Sequence, residues 1–214
     1  MSTLTKFTHS CVRLDNGDRS LVIDPGVFSE VETALDGAQG VLITHEHFDH
    51  LDEEKLRAAA TADPRLRIWA PSGVAATLAD LGEQVVAVAP GDSFDAAGFA
   101  VETFGGQHAL IHSTVPVVAN NGYLIDGTLC HPGDSLIVPT KQVQVLLLPI
   151  NAPWSRVADV IDFAVSVRAP KAFPIHDALV NDLGRPVIEG HLTRIGGQHG
   201  VEYTYLAATK SVEI

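Results

Sequence analysis

The stretch that most restricts the fold is an apolar run that breaks into ligand-type side chains. Gly40-Val41-Leu42-Ile43-Thr44 leads directly into His45-Glu46-His47-Phe48-Asp49-His50. A short continuous apolar run reads as a strand buried on both faces, as found in sheets covered by helices. His45 and His47 lie two apart where that strand ends. Alternate side chains of an extended segment share a face, so the two imidazoles can converge on one cation. Asp49 and His50 follow, where the chain must turn before a helix over 52–60 that Asp52 caps and Glu53-Glu54 open. A turn aims them in a new direction, which suits a second cation close to the first. Imidazole and carboxylate suit zinc or a similar divalent ion.

Around this segment the pattern alternates. Strands are predicted over 3–7, 11–14 and 20–23, with Asn16-Gly17 as a hairpin signal and Asp24-Pro25-Gly26 as a stop. A strand over 66–70 and a helix over 72–81 follow. The second half repeats the grammar, with strands over 99–104, 122–125, 128–130, 143–149 and 171–174, and Asp126-Gly127 as a second tight turn. A helix is predicted over 155–168, capped by Ser155, with Val157, Val160, Ile161, Ala164, Val165 and Val167 as its buried stripe, and a shorter one over 185–195. The last residues carry no clear pattern. Hairpins followed by alternating strands and helices predict sheets covered on their outer faces by helices.

No Pro/Gly/Ser-rich linker divides the 214 residues, so a single domain over 1–214 is expected. The formal charge of −12 disfavours nucleic acid and membrane-surface partners. It leaves a small molecule as the expected partner, with a homo-oligomer compatible. No apolar run is long enough to span a bilayer, and the first residues lack a basic region followed by an apolar stretch, so a cytoplasmic location is expected. Cys11 and Cys130 have neither zinc-ribbon nor redox spacing and are expected as buried small hydrophobes.

His45-x-His47-x-Asp49-His50 resembles the leading motif of the metallo-β-lactamase-fold superfamily, and further segments resemble it in the same order along nearly the whole chain. Asp24-Pro25-Gly26 resembles its early turn. His108, in Gly105-Gly106-Gln107-His108, matches the third histidine, although His112 four residues on is the alternative. Asp134, in Pro132-Gly133-Asp134-Ser135, matches the bridging carboxylate, and His176, after Phe173-Pro174-Ile175, the late histidine. The resemblance implies an α/β (α+β) fold, a four-layer αββα sandwich with the site at one edge between the sheets. It also implies two divalent ions, zinc foremost, with manganese or iron as alternatives. His45, His47 and His108 would hold one metal, and Asp49, His50 and His176 the other, with Asp134 between them.

Such a pair lowers the pKa of a shared water, and a metal-bridged hydroxide then attacks an ester, lactone or phosphoester of a small molecule. Asp134 would fix the metal separation and Asp49 orient the nucleophile, so both are expected to be catalytic. True β-lactamases of this fold carry cysteine where Asp134 stands, and thioester-hydrolysing relatives differ around the third histidine. Thr8-His9-Ser10-Cys11 early and Gly-Asp-Ser late resemble the branch containing ascorbate-6-phosphate lactonase, which admits an anionic substrate. His9, His112 and Trp154 are candidates for substrate or supporting contacts, with surface or packing roles the plainer alternatives. Arg156 and Lys141 are expected as solvated surface charge. The rival readings are a nuclease or phosphodiesterase on the same site, and a metal-binding sensor or redox protein without turnover.

Overall fold

The computed structural model describes residues 2–214. The first half supplies β1 (Thr3–Lys6), β2 (Val12–Asn16), β3 (Arg19–Ile23), β4 (Gly40–Leu42), β5 (Arg67–Ala70) and β6 (Val85–Ala87). The second supplies β7 (Ser93–Ala96), β8 (Phe99–Gly105), β9 (Asn121–Ile125), β10 (Leu129–His131), β11 (Val145–Pro149), β12 (Lys171–Ile175) and β13 (Glu202–Tyr203). A last strand, β14 (Lys210–Glu213), crosses back to pair antiparallel with β1. Two seven-stranded sheets result, ordered β14-β1-β2-β3-β4-β5-β6 and β13-β12-β11-β10-β9-β8-β7. Each sheet is mixed: β14-β1-β2-β3 and β10-β9-β8-β7 pair antiparallel, and β3-β4-β5-β6 and β13-β12-β11-β10 pair parallel.

The pleat sorts the apolar side chains into layers. In β11, Val145 and Leu147 face the space between the sheets, while Leu146 and Leu148 face outward; β3 does the same with Leu21 and Ile23 against Val22. The middle cluster also holds Leu4, Leu14, Leu42, Phe99, Tyr123 and Phe173. Outside the first sheet pack α1 (Val31–Leu35), α2 (Glu53–Ala62) and α3 (Ser72–Thr77), through Val31, Leu56 and Val74. Outside the second pack α4 (Val157–Val167) and the π-helical turn Leu192–Gly196 that follows α5 (Gly184–His191), through Val160, Phe163 and Leu192. This is the expected four-layer αββα sandwich. Cys11 and Cys130 are fully buried in different outer layers, and burial raises both thiol pKa values.

Some boundaries differ from the expected ones. Ser155 does not cap α4: its hydroxyl accepts from the Ala152 N–H at 3.0 Å, and the helix begins at Val157. The helix predicted over 72–81 ends at Thr77, and a 3-10 segment over Ala79–Gln84 follows, with Gly82 at φ +60°. The ladder of β4 stops at Leu42, because the Thr44 N–H is taken by the Asp24 side chain at 2.8 Å. No helix among the described residues is long and apolar enough to cross a membrane.

Within each sheet the strands that matter for the site run the same way. The chain leaves the C-terminal ends of β1, β3 and β4 in the first sheet, and of β8, β10 and β12 in the second, at one edge of the sandwich.

Candidate metal centre

Each of those six strand ends delivers a polar side chain. His9 follows β1, Asp24 follows β3, and His45, His47, Asp49 and His50 follow β4; His108 follows β8, Asp134 follows β10 and His176 follows β12. Three of these, His9, Asp24 and His176, sit at positive φ (68°, 52° and 55°). That conformation costs a non-glycine residue about 1–3 kcal/mol and tends to cluster at functional sites.

Asp134 stands at the centre. Its Oδ1 faces His50 Nε2 at 3.0 Å, and its Oδ2 lies 3.2 Å from His108 Nε2, 3.1 Å from His176 Nε2 and 3.9 Å from His45 Nε2. The Trp154 indole N–H donates to the same Oδ2 at 3.0 Å. On one side His45, His47, His108 and Asp134 offer donor atoms all within 4.8 Å of one another; on the other, His9, Asp49, His50 and His176 do so.

The supporting hydrogen bonds decide which nitrogen each imidazole presents. Thr44 gives its one hydroxyl proton to Asp24 Oδ2 at 2.7 Å, so it accepts from His45 Nδ1–H at 2.9 Å. His50 Nδ1–H donates to Asp24 Oδ2 at 2.7 Å, His108 Nδ1–H to the Ala109 carbonyl at 2.5 Å, and His176 Nδ1–H to the Asn151 carbonyl at 2.7 Å. All four rings therefore turn Nε2 inward, toward Asp134, where it can carry a proton or bind a cation. Fixing the outer nitrogen in this way is how metal-binding histidines are oriented. His9 is the opposite case: its Nδ1 accepts from the Ala178 N–H at 3.4 Å, so Nε2–H donates to Asp49 Oδ2 at 3.1 Å.

Nitrogen and carboxylate lone pairs about 3 Å apart repel unless positive charge, carried by a proton or by a metal cation, lies between them. His50 Nε2 and Asp134 Oδ1 are both fully buried and lack a hydrogen-bond partner despite their 3.0 Å approach. Buried polar atoms are rarely left so. The donor set and these two orphaned atoms fit divalent cations bonded to Asp134 and the surrounding imidazoles.

The electrostatics agree. Burial, aided by the neighbouring His50, holds the His45 pKa well below the ordinary 6.5, and burial and His108 lower that of His47; both are neutral donors at physiological pH. Burial opposes charge on Asp134, but His50, His108 and His176 outweigh it and keep its pKa well below the carboxylate range. Asp49 is held at about 2: burial would raise it, and the His9 hydrogen bond with the charges of His50 and His176 prevails. Burial also opposes charge on His50, yet Asp134 and Asp24 on its two nitrogens hold its pKa well above 6.5 in the metal-free site.

Two glycines make room for this geometry. A Cβ on Gly26 would lie 1.9 Å from the Asp49 carbonyl oxygen and 2.5 Å from the His50 nitrogen. One on Gly133, at φ +62°, would lie 2.3 Å from Asn120 Oδ1, the atom that accepts the Asp134 N–H. His112 does not join the cluster; it is exposed and bonded to Thr114, while His108 is buried. Lys141 and Arg156 pair with Glu102 and Asp159. Sequence reasoning missed Asp24 as the shared acceptor for Thr44 and His50. The available signal was a carboxylate straight after an apolar strand, where burial requires a partner.

An αββα sandwich with histidines and aspartates gathered at the strand ends of both sheets defines a metallo-β-lactamase-type fold. The chain belongs to the beta-lactamase superfamily domain family, whose model matches residues 3–176. It is 38% identical over 197 residues to Protein Rv0786c of Mycobacterium tuberculosis, covering 90% of this chain and 92% of that one. It is 27% identical to a UPF0173 metal-dependent hydrolase of Aeropyrum pernix, over 82% of each. Among solved structures, Igni18, a metallo hydrolase from Ignicoccus hospitalis, superposes with a TM-score of 0.75 at 18% identity, covering 99% and 97% of the two chains.

Proposed function

We propose that the protein is a metal-dependent hydrolase with a dinuclear site, acting on an ester, lactone or phosphoester bond of a small molecule. The observation that carries this reading is the central position of Asp134, whose two oxygens lie between inward-facing Nε2 atoms delivered by both sheets. His45, His47 and His108 would hold one cation, Asp49, His50 and His176 the other, with Asp134 shared. Zinc suits this imidazole-carboxylate set, with manganese or iron as alternatives. Two such cations, when bound, lower the pKa of a water toward neutrality and polarise the oxygen of the scissile group.

The chain's own residues supply orientation. The Asp49 side chain is 16% exposed against 3% for Asp134, so it is the carboxylate that meets solvent. With its pKa at about 2 it stays ionised at any physiological pH and can accept a hydrogen bond that aims the attacking water. The Trp154 indole N–H donates to Asp134 Oδ2 and helps to orient the shared carboxylate. The metallo hydrolase and UPF0173 relatives support this reading.

The test pairs elemental analysis with turnover of carboxylic ester, lactone, thioester, phosphomonoester and phosphodiester substrates. Asp134→Ala and His47→Ala should each abolish turnover and lower metal content while circular dichroism stays that of the parent. Full activity in both variants would refute the reading.

A further inference from the structure

Several exposed apolar side chains stand on the segments that carry the site, and among the described residues those segments offer no unattached Lys or Arg. Phe28 packs edge-on against buried His9, with centroids 5.3 Å apart, and Phe48 packs edge-on against Phe28 at 5.5 Å. This aromatic step leads from the cluster to solvent, where Phe48 is 62% exposed. Leu110, 60% exposed, follows Ala109, whose N–H donates to the Asp134 carbonyl. Leu179, 58% exposed, follows Ala178, whose N–H reaches His9. Across the cluster the Trp154 ring lies 5.8 Å from that of His108 and 6.1 Å from that of His176. Isolated exposed apolar residues are ordinary, but a group of them anchored to one polar site marks a binding surface.

The charge pattern points the same way. The segments that leave the six strand ends, with the loop over 150–156, contain only two cations, Lys141 and Arg156. Lys141 is bound to Glu102 and Arg156 to Asp159. Flanking them, Lys6 and Arg185 are both committed to Asp177, and Arg185 also lies over the Tyr205 ring. Sites that grip phosphate present Arg, Lys or backbone N–H forks to its oxygens. Among the described residues, no free basic side chain stands ready to do so here.

We infer that the substrate is an uncharged carboxylic ester or lactone whose hydrocarbon part lies on Phe28, Phe48, Leu110 and Leu179. This rests on the hydrolase reading above and narrows it to carbonyl chemistry. The water oxygen bonds to the acyl carbon and the acyl C–O bond breaks. One water proton passes to the departing alkoxide, giving the alcohol, and the other is released as the acid ionises.

The experiment uses the metal-loaded full-length chain with 4-nitrophenyl acetate, butyrate, hexanoate and octanoate, a γ-lactone series of matching chain lengths, and 4-nitrophenyl phosphate and its bis ester. The expected result is a kcat/KM that climbs about two- to fourfold per methylene over the shorter members, with the phosphates turned over poorly. Phe48→Ser and Leu110→Ser should each flatten that climb while metal content stays at the parent value. Ester turnover with a flat chain-length profile, or preference for a phosphate, would overturn the inference and leave the hydrolase standing. A dimer that Phe48→Ser dissociates, together with a flat profile, would also overturn it and assign the rim to a second copy of the chain. No turnover of any member by metal-loaded protein would instead remove the hydrolase reading beneath it.

Discussion

His9 differs from the other clustered histidines in the nitrogen it offers. With Nδ1 accepting from the Ala178 N–H, it reaches Asp49 as a donor, so its effect on a cation passes through that carboxylate. Removing such a supporting partner typically costs 10- to 100-fold in metal affinity. His9→Ala should therefore weaken binding of a cation held by Asp49 by that factor in a chelator competition, and His9→Gln, which keeps a donor, should recover most of it. Equal affinities in parent and His9→Ala would contradict this. Gly26→Ala forces a methyl into the Asp49 and His50 backbone, which cannot swing aside as a side chain can. Overpacking of this kind costs about 1–3 kcal/mol or more, read as a lower urea midpoint together with reduced metal content. His45, His47, Asp49 and His50 were legible because ligand types stand at short spacing after a strand, whereas His108, Asp134 and His176 stand apart in the chain and were picked out only through the family resemblance. Asp24 and Asn120 were not, since their roles depend on which distant N–H or imidazole the fold lays against them.

Among elements, the join between β1 and the loop after β12 is held by charge. Lys6 Nζ, nearly fully buried, donates to Asp177 Oδ1 at 3.0 Å, and Arg185 reaches Oδ2 at 3.3 Å. Asp177→Ala leaves the Lys6 ammonium buried without its carboxylate and should cost about 3–5 kcal/mol. Lys6→Ala should cost less, because Asp177 keeps Arg185. Urea unfolding of both variants checks the asymmetry, and equal losses would argue against it. Elements with a sustained period, such as β4, α2, β11, α4 and β12, were legible as a strand or a helix from the chain alone. Those missed are short or polar. α1 has five residues and β13 two, and β7 and β14 are edge strands whose Ser93–Ala96 and Lys210–Glu213 become strands only through pairing with β8 and β1. Ser155 misled for a related reason: its hydroxyl had a nearer partner in its own turn than at the helix start.

Across the whole molecule, the protonation pattern sets how stability follows pH. His9, His45, His47 and His131 have lowered pKa values, burial being the first cause in each, so the unfolded chain binds more protons than the native one as pH falls below 6.5. Their contribution is present above 6.5 and is lost on acidification. His50, raised, runs the other way: its contribution is complete below 6.5 and is lost only as pH rises through its folded value. Chelator-treated protein should accordingly lose stability between about pH 6.5 and 5, measured as falling urea midpoints; an unchanged midpoint over that window would contradict the assignment. Added zinc at 100 times its dissociation constant should restore about 2.7 kcal/mol per site. The division of the cluster has a wider consequence. Since the loop after β4 carries four of its side chains and loops leaving the facing sheet carry His108, Asp134 and His176, cations bound there would act as a clasp between the layers. Thermodynamic reciprocity then applies, and whatever loosens the layers must weaken the clasp by the same factor. The Tyr123 hydroxyl, which reaches from β9 to the Ile43 carbonyl at 2.7 Å, is one such interlayer tie. A zinc titration of Tyr123→Phe would gauge its grip from a residue whose hydroxyl bonds to a main-chain carbonyl and to none of the proposed ligands.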